Sequence, residues 1–426
     1  MFKYQFFWKK DNSEIKRRFR FFYLASLSFA IISSLTGPFW VIYFTQAGLN
    51  YFEISMLVIA NNAITLGFEI PTGILADLWG RKISVIISLS LSGLASMGIF
   101  LGRTFPQFFL YFALSGIGAT FMSGAYSAWF FDSLTEDTKE GEGEINIEEF
   151  WGHLSSGQQI GNLFGFLLGT AVVSIFHMRT LWLIEGLGSF LIFFYVFIAG
   201  KEEKHKKQGI SAKEYKNLIK EGASHLFKSK FLIFLVSGSL VWFLSTGILS
   251  LAWQPFFKSQ GIDPKYFGII LSGYMILSIF VTRKAGTLSK KLGSNLRLLQ
   301  WIGALCAALT FGLLFARGYQ WILFVLYGAV YSLHDPIFQS HLNKYIPSPQ
   351  RATTLSTYNM SISAVTILSM LIFGVISDKF SLSTSLVVSS IICFATVIIF
   401  KGVASLEKRV VIKIKKEVNI ERRIDG

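Results

Sequence analysis

Residues 67–82 read "GFEIPTGILADLWGRK". This stretch closes an apolar run of about 20 residues, which is the length a helix needs to cross a bilayer. The run then breaks into charged residues that begin at Asp77. Glu69 lies eight residues earlier, which places its carboxylate roughly 12 Å deeper along a helix axis. The stretch therefore predicts a membrane helix with an acidic group in the lipid zone and a charged loop at its end.

Composition extends this prediction to the whole chain. Of its 426 residues, 52% are hydrophobic and only 15% are charged, and the mean hydropathy is +0.51. Soluble domains carry about 25% charged residues. Because lipid offers the backbone no hydrogen bonds, the recurring apolar runs must be helices, and the sequence predicts an all-α membrane protein. We place twelve spans at roughly 21–45, 51–75, 83–101, 107–131, 151–174, 180–200, 231–257, 265–282, 298–316, 320–342, 353–377 and 382–400.

The positive charge has a strongly uneven distribution. A net charge of +15 would suggest nucleic acid as the partner of a soluble protein. Lys and Arg, however, favour the cytoplasmic side of membrane proteins. We therefore predict that both termini are cytoplasmic and that nucleic acid is not a partner. Of the 40 Lys and Arg residues, the predicted outer segments hold Arg103, Arg179, Lys258, Lys265, Arg317 and Lys379.

The two halves of the chain repeat each other weakly. "GILADLWG" begins at Gly73 and "GTLSKKLG" begins at Gly286, each at the cytoplasmic end of the second helix of its half. This repeat predicts two pseudo-symmetric six-helix bundles. The lysine-rich segment between them is either an amphipathic stretch lying on the membrane surface or a solvated linker. The predicted parts are an N-terminal half (1–200), a basic cytoplasmic linker (201–230), a C-terminal half (231–403) and a basic cytoplasmic tail (404–426).

At this point the sequence resembles a known family, the major facilitator superfamily. The segment "GILADLWGRK" resembles the family's loop between helices 2 and 3, which has the form G-x-L-a-D-r-x-G-r-k. It departs at Leu78, where a basic residue is usual. The branch whose motifs lie nearest is that of the drug–proton antiporters. The matching positions are Gly73, Leu75, Ala76, Asp77, Gly80, Arg81 and Lys82.

The resemblance implies a conformational latch at this loop. In the family, Asp77 would touch the start of helix 11 and hold the outward-facing state, and Arg81 would pair with Asp132 at the end of helix 4. Gly73 would allow close helix contact and Gly80 a tight reversal. The alternative is that the charges are solvated and contribute under about 1 kcal/mol each.

Three ionisable groups in the predicted spans are candidates for proton coupling. Glu69 is costly in lipid unless it is paired, protonated or faces water, so it is either a proton carrier or a hydrogen-bonded structural group. His334 and Asp335 lie on helix 10, which lines the cavity in the family, and Pro336 would loosen that helix. The two residues are expected either to transfer protons or bind a cationic group, or to lock the interface between the two domains near the cytoplasmic side. Glu185 on helix 6 is expected either to have a packing role or to be a carboxylate that snorkels toward the membrane surface.

The polar and aromatic residues of several spans are candidates for the substrate cavity. Asparagine and glutamine side chains either join helices or face substrate, and tryptophans either form cavity walls or contact lipid. Glycines at 157, 161, 165 and 169 predict a flat face for close helix packing. The cavity candidates are Trp40, Asn61, Gln158, Asn162, Trp242 and Asn359.

Two motifs depart from the antiporter pattern. The helix-5 motif G-x-x-x-G-P-x-x-G-G fits at its first three glycines, but Asn162 replaces its proline and Phe166 its last glycine. On helix 4, Ala113 stands where the resemblance implies the arginine that is tied to proton coupling. If protons are coupled, Glu69 or the His334–Asp335 pair is therefore expected to carry them.

The sequence predicts a secondary transporter of the bacterial inner membrane that works by alternating access. Our first hypothesis is proton-coupled efflux of small amphipathic compounds, and the alternative is a gradient-driven importer of a metabolite, sugar or organic acid. A membrane sensor that binds ligand without transporting it is the hypothesis from another class. The expected partners are a small-molecule substrate, membrane lipid and protons. No phosphate-binding loop or metal-ligand spacing is found in the sequence, so we predict no enzyme activity, cofactor or metal.

Overall fold

The computed structural model describes residues 13–135, 147–201, 229–346 and 351–424. Within these ranges, all regular secondary structure is helical, as the sequence predicts. It consists of sixteen α-helices and one 3-10 turn, Pro264–Tyr266. The helices are α1 (Ser13–Ser34), α2 (Trp40–Gln46), α3 (Tyr51–Trp79), α4 (Arg81–Leu101), α5 (Phe105–Met122), α6 (Ala125–Thr135), α7 (Ile147–Ile175), α8 (Arg179–Ala199), α9 (Lys230–Ser259), α10 (Phe267–Thr282), α11 (Ala285–Leu292), α12 (Asn295–Gly312), α13 (Gln320–Tyr331), α14 (His334–Leu342), α15 (Arg351–Lys379) and α16 (Leu382–Ile424).

Ten helical segments of the described chain are long and apolar enough to cross a membrane. The predicted spans 21–45 and 298–316 are not among them. The first span is interrupted, because α1 ends at Ser34. The amino-terminal turns of α1 are also rich in arginine, which lowers the hydropathy of the helix. The second corresponds to α12, which begins in a polar turn containing Arg297. These two elements occupy the remaining positions of a twelve-span arrangement, with which the structure is consistent.

The chain divides into two compact units. Unit 1 comprises Met1–Tyr43 and Ala60–Ser211, and unit 2 comprises Phe44–Ile59 and Ala212–Gly426. The start of α3 therefore groups with the second unit, whereas the sequence predicted two continuous halves. Most of the predicted linker, with its proposed amphipathic segment, lies outside the described residues.

In unit 1, the glycine stripe of α7 packs closely along α1. A Cβ added at Gly161 would lie 2.8 Å from the Ala30 Cβ, and one at Gly165 would lie 2.4 Å from the carbonyl oxygen of Ile31. Neither position can accept a side chain without moving backbone. The predicted packing face is confirmed, and it fixes the height of α1 against α7.

The amino-terminal part of α1 is held by an aromatic core. Phe19 makes an edge-to-face contact with Phe150 at a centroid distance of 4.9 Å, and Phe22 makes one with Trp129 at the same distance. Edge-to-face pairs of this kind stabilise beyond the area they bury. They attach the first turns of α1 to α6 and α7.

In unit 2, α9 is joined to α15 and α16 by buried hydroxyl groups. The Ser245 hydroxyl donates to the Ser389 carbonyl oxygen at 2.8 Å, and the Ser389 hydroxyl donates back to the Ser245 carbonyl oxygen at 2.9 Å. Ser239 and Tyr358 share a hydrogen bond of 2.7 Å. Such bonds between membrane helices contribute about 0.6 kcal/mol each on average.

Three of the predicted spans are broken within their length. The first breaks between α1 and α2, in the segment that contains Pro38, and the fourth breaks at Gly124, which has a φ of 74°. The tenth breaks between Tyr331 and His334. Pro336 explains that break, because its ring excludes a helical hydrogen bond to the carbonyl of Ser332, four residues earlier. Interrupted membrane helices are where transporters commonly form binding sites.

Candidate functional site

The loop between α3 and α4 makes the predicted reversal at Gly80. This residue has a φ of 103° and ψ of 152°, a backbone conformation that residues with a Cβ rarely adopt. The turn directs Arg81 toward α6, where its guanidinium forms an ion pair with the Asp132 carboxylate. Both side chains are partly exposed. The structure thus brings together two of the predicted latch residues, and their role in a latch stays a prediction.

Asp77 and Gly73 make fewer contacts than the sequence suggested. Among the described residues, the Asp77 carboxylate has no hydrogen bond or ion pair. A Cβ added at Gly73 would meet nothing within 4 Å. The structure shows no close helix contact at Gly73 among the described residues, and the predicted contact stays a prediction.

A matching pair at the end of α15 was missed by the sequence analysis. "GVISDKF" (374–380) carries a glycine and, four residues later, an aspartate, as "GILADLW" (73–79) does. A Cβ added at Gly374 would lie 2.8 Å from the Phe52 Cα and 2.6 Å from the Ser55 hydroxyl. The shared spacing was the signal for this site, but it occurs at the opposite predicted membrane face.

Asp378 caps the amino terminus of α3. Its Oδ1 accepts a hydrogen bond from the Tyr51 amide at 3.0 Å, and its Oδ2 accepts one from the Phe52 amide at 2.8 Å. A helix start leaves such amides without intrahelical partners and favours negative charge. The third amide, that of Glu53, donates to the Asn50 side chain at 2.8 Å, and Glu53 accepts from the Asn50 amide at 3.0 Å. A local capping box and Asp378 together therefore satisfy the first turn.

The two membrane carboxylates of unit 1 have different surroundings. Glu69 is exposed, and its carboxylate has no hydrogen bond or ion pair with any residue the structure describes. Glu185, on α8, accepts a hydrogen bond of 2.9 Å from the Thr36 hydroxyl and a second hydrogen bond from the Ser96 side chain. Thr36 lies in the break between α1 and α2. Glu185 is therefore placed at the interrupted helix, whereas the sequence indicated a packing role or a snorkelling carboxylate.

Within the described part of the chain, the hydrogen-bond partners of Glu185 are hydroxyl groups and no Lys or Arg forms an ion pair with it. Thr36 and Ser96 are themselves 7% and 5% exposed. In a low-dielectric setting, a carboxyl held by hydroxyl groups alone is more easily kept neutral than one paired with Lys or Arg. A lone acid inside an apolar run was the available signal, and the partners became visible only with the geometry of the break.

His334 occupies an aromatic slot in unit 2. Its ring is stacked on Trp242 at 4.6 Å and on Phe338 at 5.6 Å, and Phe243 meets it edge-on at 6.0 Å. The side chain is 1% exposed, and neither ring nitrogen has a hydrogen-bond partner in the described part of the chain.

The predicted pair of His334 with Asp335 does not form. Asp335 instead takes a hydrogen bond from the Gln339 side chain. The physical reason is helix geometry, because neighbouring residues point about 100° apart and side chains four apart share a face. The two residues therefore act in separate surroundings, which corrects the expectation of a proton-transferring pair.

The remaining cavity candidates lie on five helices, α2, α3, α7, α9 and α15. The Asn61 amide donates to the Phe112 carbonyl oxygen at 3.1 Å and so joins α3 to α5, while Trp242 is 1% exposed and serves as a wall of the His334 slot. Asn61 thus joins two helices, which is one of its two predicted roles, and a substrate role of either residue stays a prediction. Gln158 and Asn359 are exposed, and Trp40 and Asn162 are partly buried. No group of three metal-ligating side chains is found within the described ranges.

The family follows from a comparison of the whole chain. Residues 22–365 match the profile of the Major Facilitator Superfamily. The chain belongs to this family. It is 25% identical over 401 residues to the MFS-type transporter YxaM of Bacillus subtilis (strain 168), covering 91% of this chain and 96% of the relative. It is 23% identical over 406 residues to the MFS-type transporter YdeE of Escherichia coli (strain K12), covering 92% and 97%.

Solved structures of the superfamily share the fold. The nucleoside transporter NupG matches with a TM-score of 0.76 at 14% identity, covering 91% of this chain and 98% of that one. The POT family transporter PepTSo matches with a TM-score of 0.72 at 9% identity, covering 92% and 98%. The protein is thus a multi-pass membrane transporter of the secondary type, with a small-molecule substrate, and not an enzyme.

Proposed function

We propose that this protein is a proton-coupled exporter of small amphipathic compounds, placed in the bacterial inner membrane with both termini in the cytoplasm. The observation that carries proton coupling is Glu185, a carboxyl held by Thr36 and Ser96 at the break in the first span. Binding and release of a proton there would change the hydrogen bonds that hold the break. The export direction rests on the motif resemblance to the drug–proton antiporter branch.

We infer that alternating access uses two carboxylates at opposite ends of the membrane helices. Asp378 stabilises one state through the amino terminus of α3, and Asp77 stabilises the other through the predicted latch with Arg81 and Asp132. The support for this inference is the shared spacing of glycine and aspartate, together with the bidentate cap that Asp378 already makes.

A gradient-driven importer is the second candidate function. The observation that favours it is Ala113, which replaces the arginine that the antiporter branch ties to proton coupling. NupG is a nucleoside transporter by its title, and its likeness to this chain extends to the fold. An importer would move its solute inward with the coupling ion, whereas the proposed exporter exchanges the two.

The test is proton movement in proteoliposomes that hold the purified protein and an internal pH dye. We expect substrate-evoked pH changes whose sign, with the side of substrate addition known, indicates antiport. Glu185→Gln should abolish the proton signal, whereas the matched change Glu69→Gln should retain it. A pH signal of symport sign would favour the importer. Loss of the signal in Glu69→Gln with retention in Glu185→Gln would transfer the coupling role to Glu69 and contradict our assignment.

A further inference from the structure

A pocket lies in unit 1, away from Glu185. The inference drawn from it is independent of the proposed transport function. It has a volume of about 740 Å³ and is formed where the start of α1 meets α6 and the end of α8. Five cationic side chains and one carboxylate contribute to its lining, and aromatic rings of Phe21, Phe22, Trp129 and Tyr195 complete it. The charged residues are Glu14, Lys16, Arg17, Arg18, Arg20 and Lys201.

The single carboxylate neutralises only part of this charge. The Arg17 guanidinium donates a hydrogen bond of 2.5 Å to the Glu14 carboxylate, and the Arg18 guanidinium lies 3.5 Å from the same carboxylate. The hydrogen bond from Arg17 holds the pKa of Glu14 below its usual range. Neither Arg20 nor Lys201 forms an ion pair with a residue in the described ranges. The described lining of the pocket therefore carries more positive than negative charge at neutral pH, with Arg20 and Lys201 outside any ion pair within the described ranges, and this charge attracts an anion.

The walls that present these cations are well fixed. The Trp129 indole donates to the Lys201 carbonyl oxygen at 3.2 Å, and the Arg18 guanidinium donates to the Ser133 carbonyl oxygen at 2.6 Å. The Phe21 ring lies 5.5 Å from that of Trp129 and 5.3 Å from that of Tyr195. An anion that enters the pocket thus meets preorganised groups.

The pocket also has an apolar side that indicates the rest of the ligand. Leu24 is 45% exposed and Tyr195 is 36% exposed, and both line the pocket on parts of α1 and α8 that lie within predicted membrane spans. A ligand that fits both sides has an anionic head and a hydrocarbon tail. Arginine is well suited to phosphate oxygens, because its planar fork donates two parallel hydrogen bonds.

We propose that this pocket binds the phosphate of an anionic phospholipid, with the acyl chains along Leu24 and Tyr195. Basic pockets beside membrane helices on the cytoplasmic side bind anionic headgroups by this chemistry. Free phosphate shares the charge but not the tail, so the tail distinguishes the two sources.

The test is native mass spectrometry of the full chain in detergent, with phosphatidylglycerol or phosphatidylcholine added. The variant Arg17→Gln/Arg20→Gln/Lys201→Gln should retain phosphatidylglycerol at least about tenfold less than the wild type. The control Arg283→Gln/Lys290→Gln/Lys291→Gln loses the same charge from exposed positions elsewhere and should retain it fully. Arg20→Gln alone, which leaves the Glu14 pairs intact, should show an intermediate loss and guards against misfolding of the triple variant.

Three outcomes would overturn the proposal. Equal loss in the variant and the control would show that only net charge matters. Equal retention of phosphatidylcholine would show that the phosphatidylglycerol is held by its tail. Displacement of phosphatidylglycerol by inorganic phosphate at the same concentration would assign the pocket to free phosphate.

Discussion

The end of α3 and the end of α15 carry the same pair of residues and use them differently. Gly374 and Asp378 face the first turn of α3, which supplies close backbone and two amide donors. Gly73 has open space, and Asp77 has no hydrogen bond or ion pair among the described residues. The comparison teaches that the same pair of residues makes close contacts only where a helix amino terminus faces it.

The physical reason for this difference is the kind of group that faces each aspartate. An aspartate gains little from water-exposed cations, but a helix start offers amide groups with no other acceptor and a favourable dipole. A glycine four residues earlier removes the side chain that would hold the two helices apart. If the two ends alternate, each aspartate is a latch for one state only.

The largest expected effect separates the two glycines. Gly374→Ala places a Cβ within 3 Å of the Phe52 Cα and the Ser55 hydroxyl, so we expect destabilisation of about 1–3 kcal/mol. Gly73→Ala has room, and its stability should be unchanged or slightly raised. Thermal unfolding in detergent measures both. Equal melting temperatures of the two variants would break the comparison.

A smaller effect should separate the two aspartates. Asp378→Ala removes both acceptors of the Tyr51 and Phe52 amides, and because the site is exposed we expect a cost of about 1 kcal/mol. Asp77→Ala should leave thermal stability unchanged in this state but impair transport. Loss of substrate binding in Asp77→Ala would argue against a latch role, and unchanged stability in Asp378→Ala would argue against the cap.

The smallest effect concerns the Arg81–Asp132 pair. Both side chains are partly exposed, so we expect a coupling free energy below about 1 kcal/mol. A double-mutant cycle of Arg81→Gln and Asp132→Asn, read by thermal unfolding and by transport rate, measures it. Strict additivity in both readouts would mean that the ion pair has no part in the latch.

Much of the fold could be predicted from the sequence. Span length and hydropathy predicted the helices, and the glycine spacing of α7 predicted a flat face for close helix packing, because these signals are local. The partner of that face, α1, became known only from the structure. The grouping of residues 44–59 with the second unit was not predictable, because it depends on contacts more than 300 residues apart in sequence, such as that of Tyr51 with Asp378.

The candidate site was less predictable for the same reason. Glu185 was assigned to packing or snorkelling because the hydroxyls that hold it come from Thr36 and Ser96, on other helices. His334 and Asp335 were expected to act together because they are neighbours in sequence, although helix geometry separates them. Residue type revealed which groups are unusual in a membrane, but only the fold revealed their partners.

The central claim is that Asp77 and Asp378 hold alternative states of one transport cycle. Amide hydrogen exchange of the first turn of α3, residues 51–55, tests it most directly in the wild type, Asp77→Asn and Asp378→Asn. If the two contacts exclude each other, weakening one must favour the other. We therefore predict slower exchange in Asp77→Asn and faster exchange in Asp378→Asn. Exchange in Asp77→Asn that equals the wild type, while Asp378→Asn accelerates it, would contradict the claim.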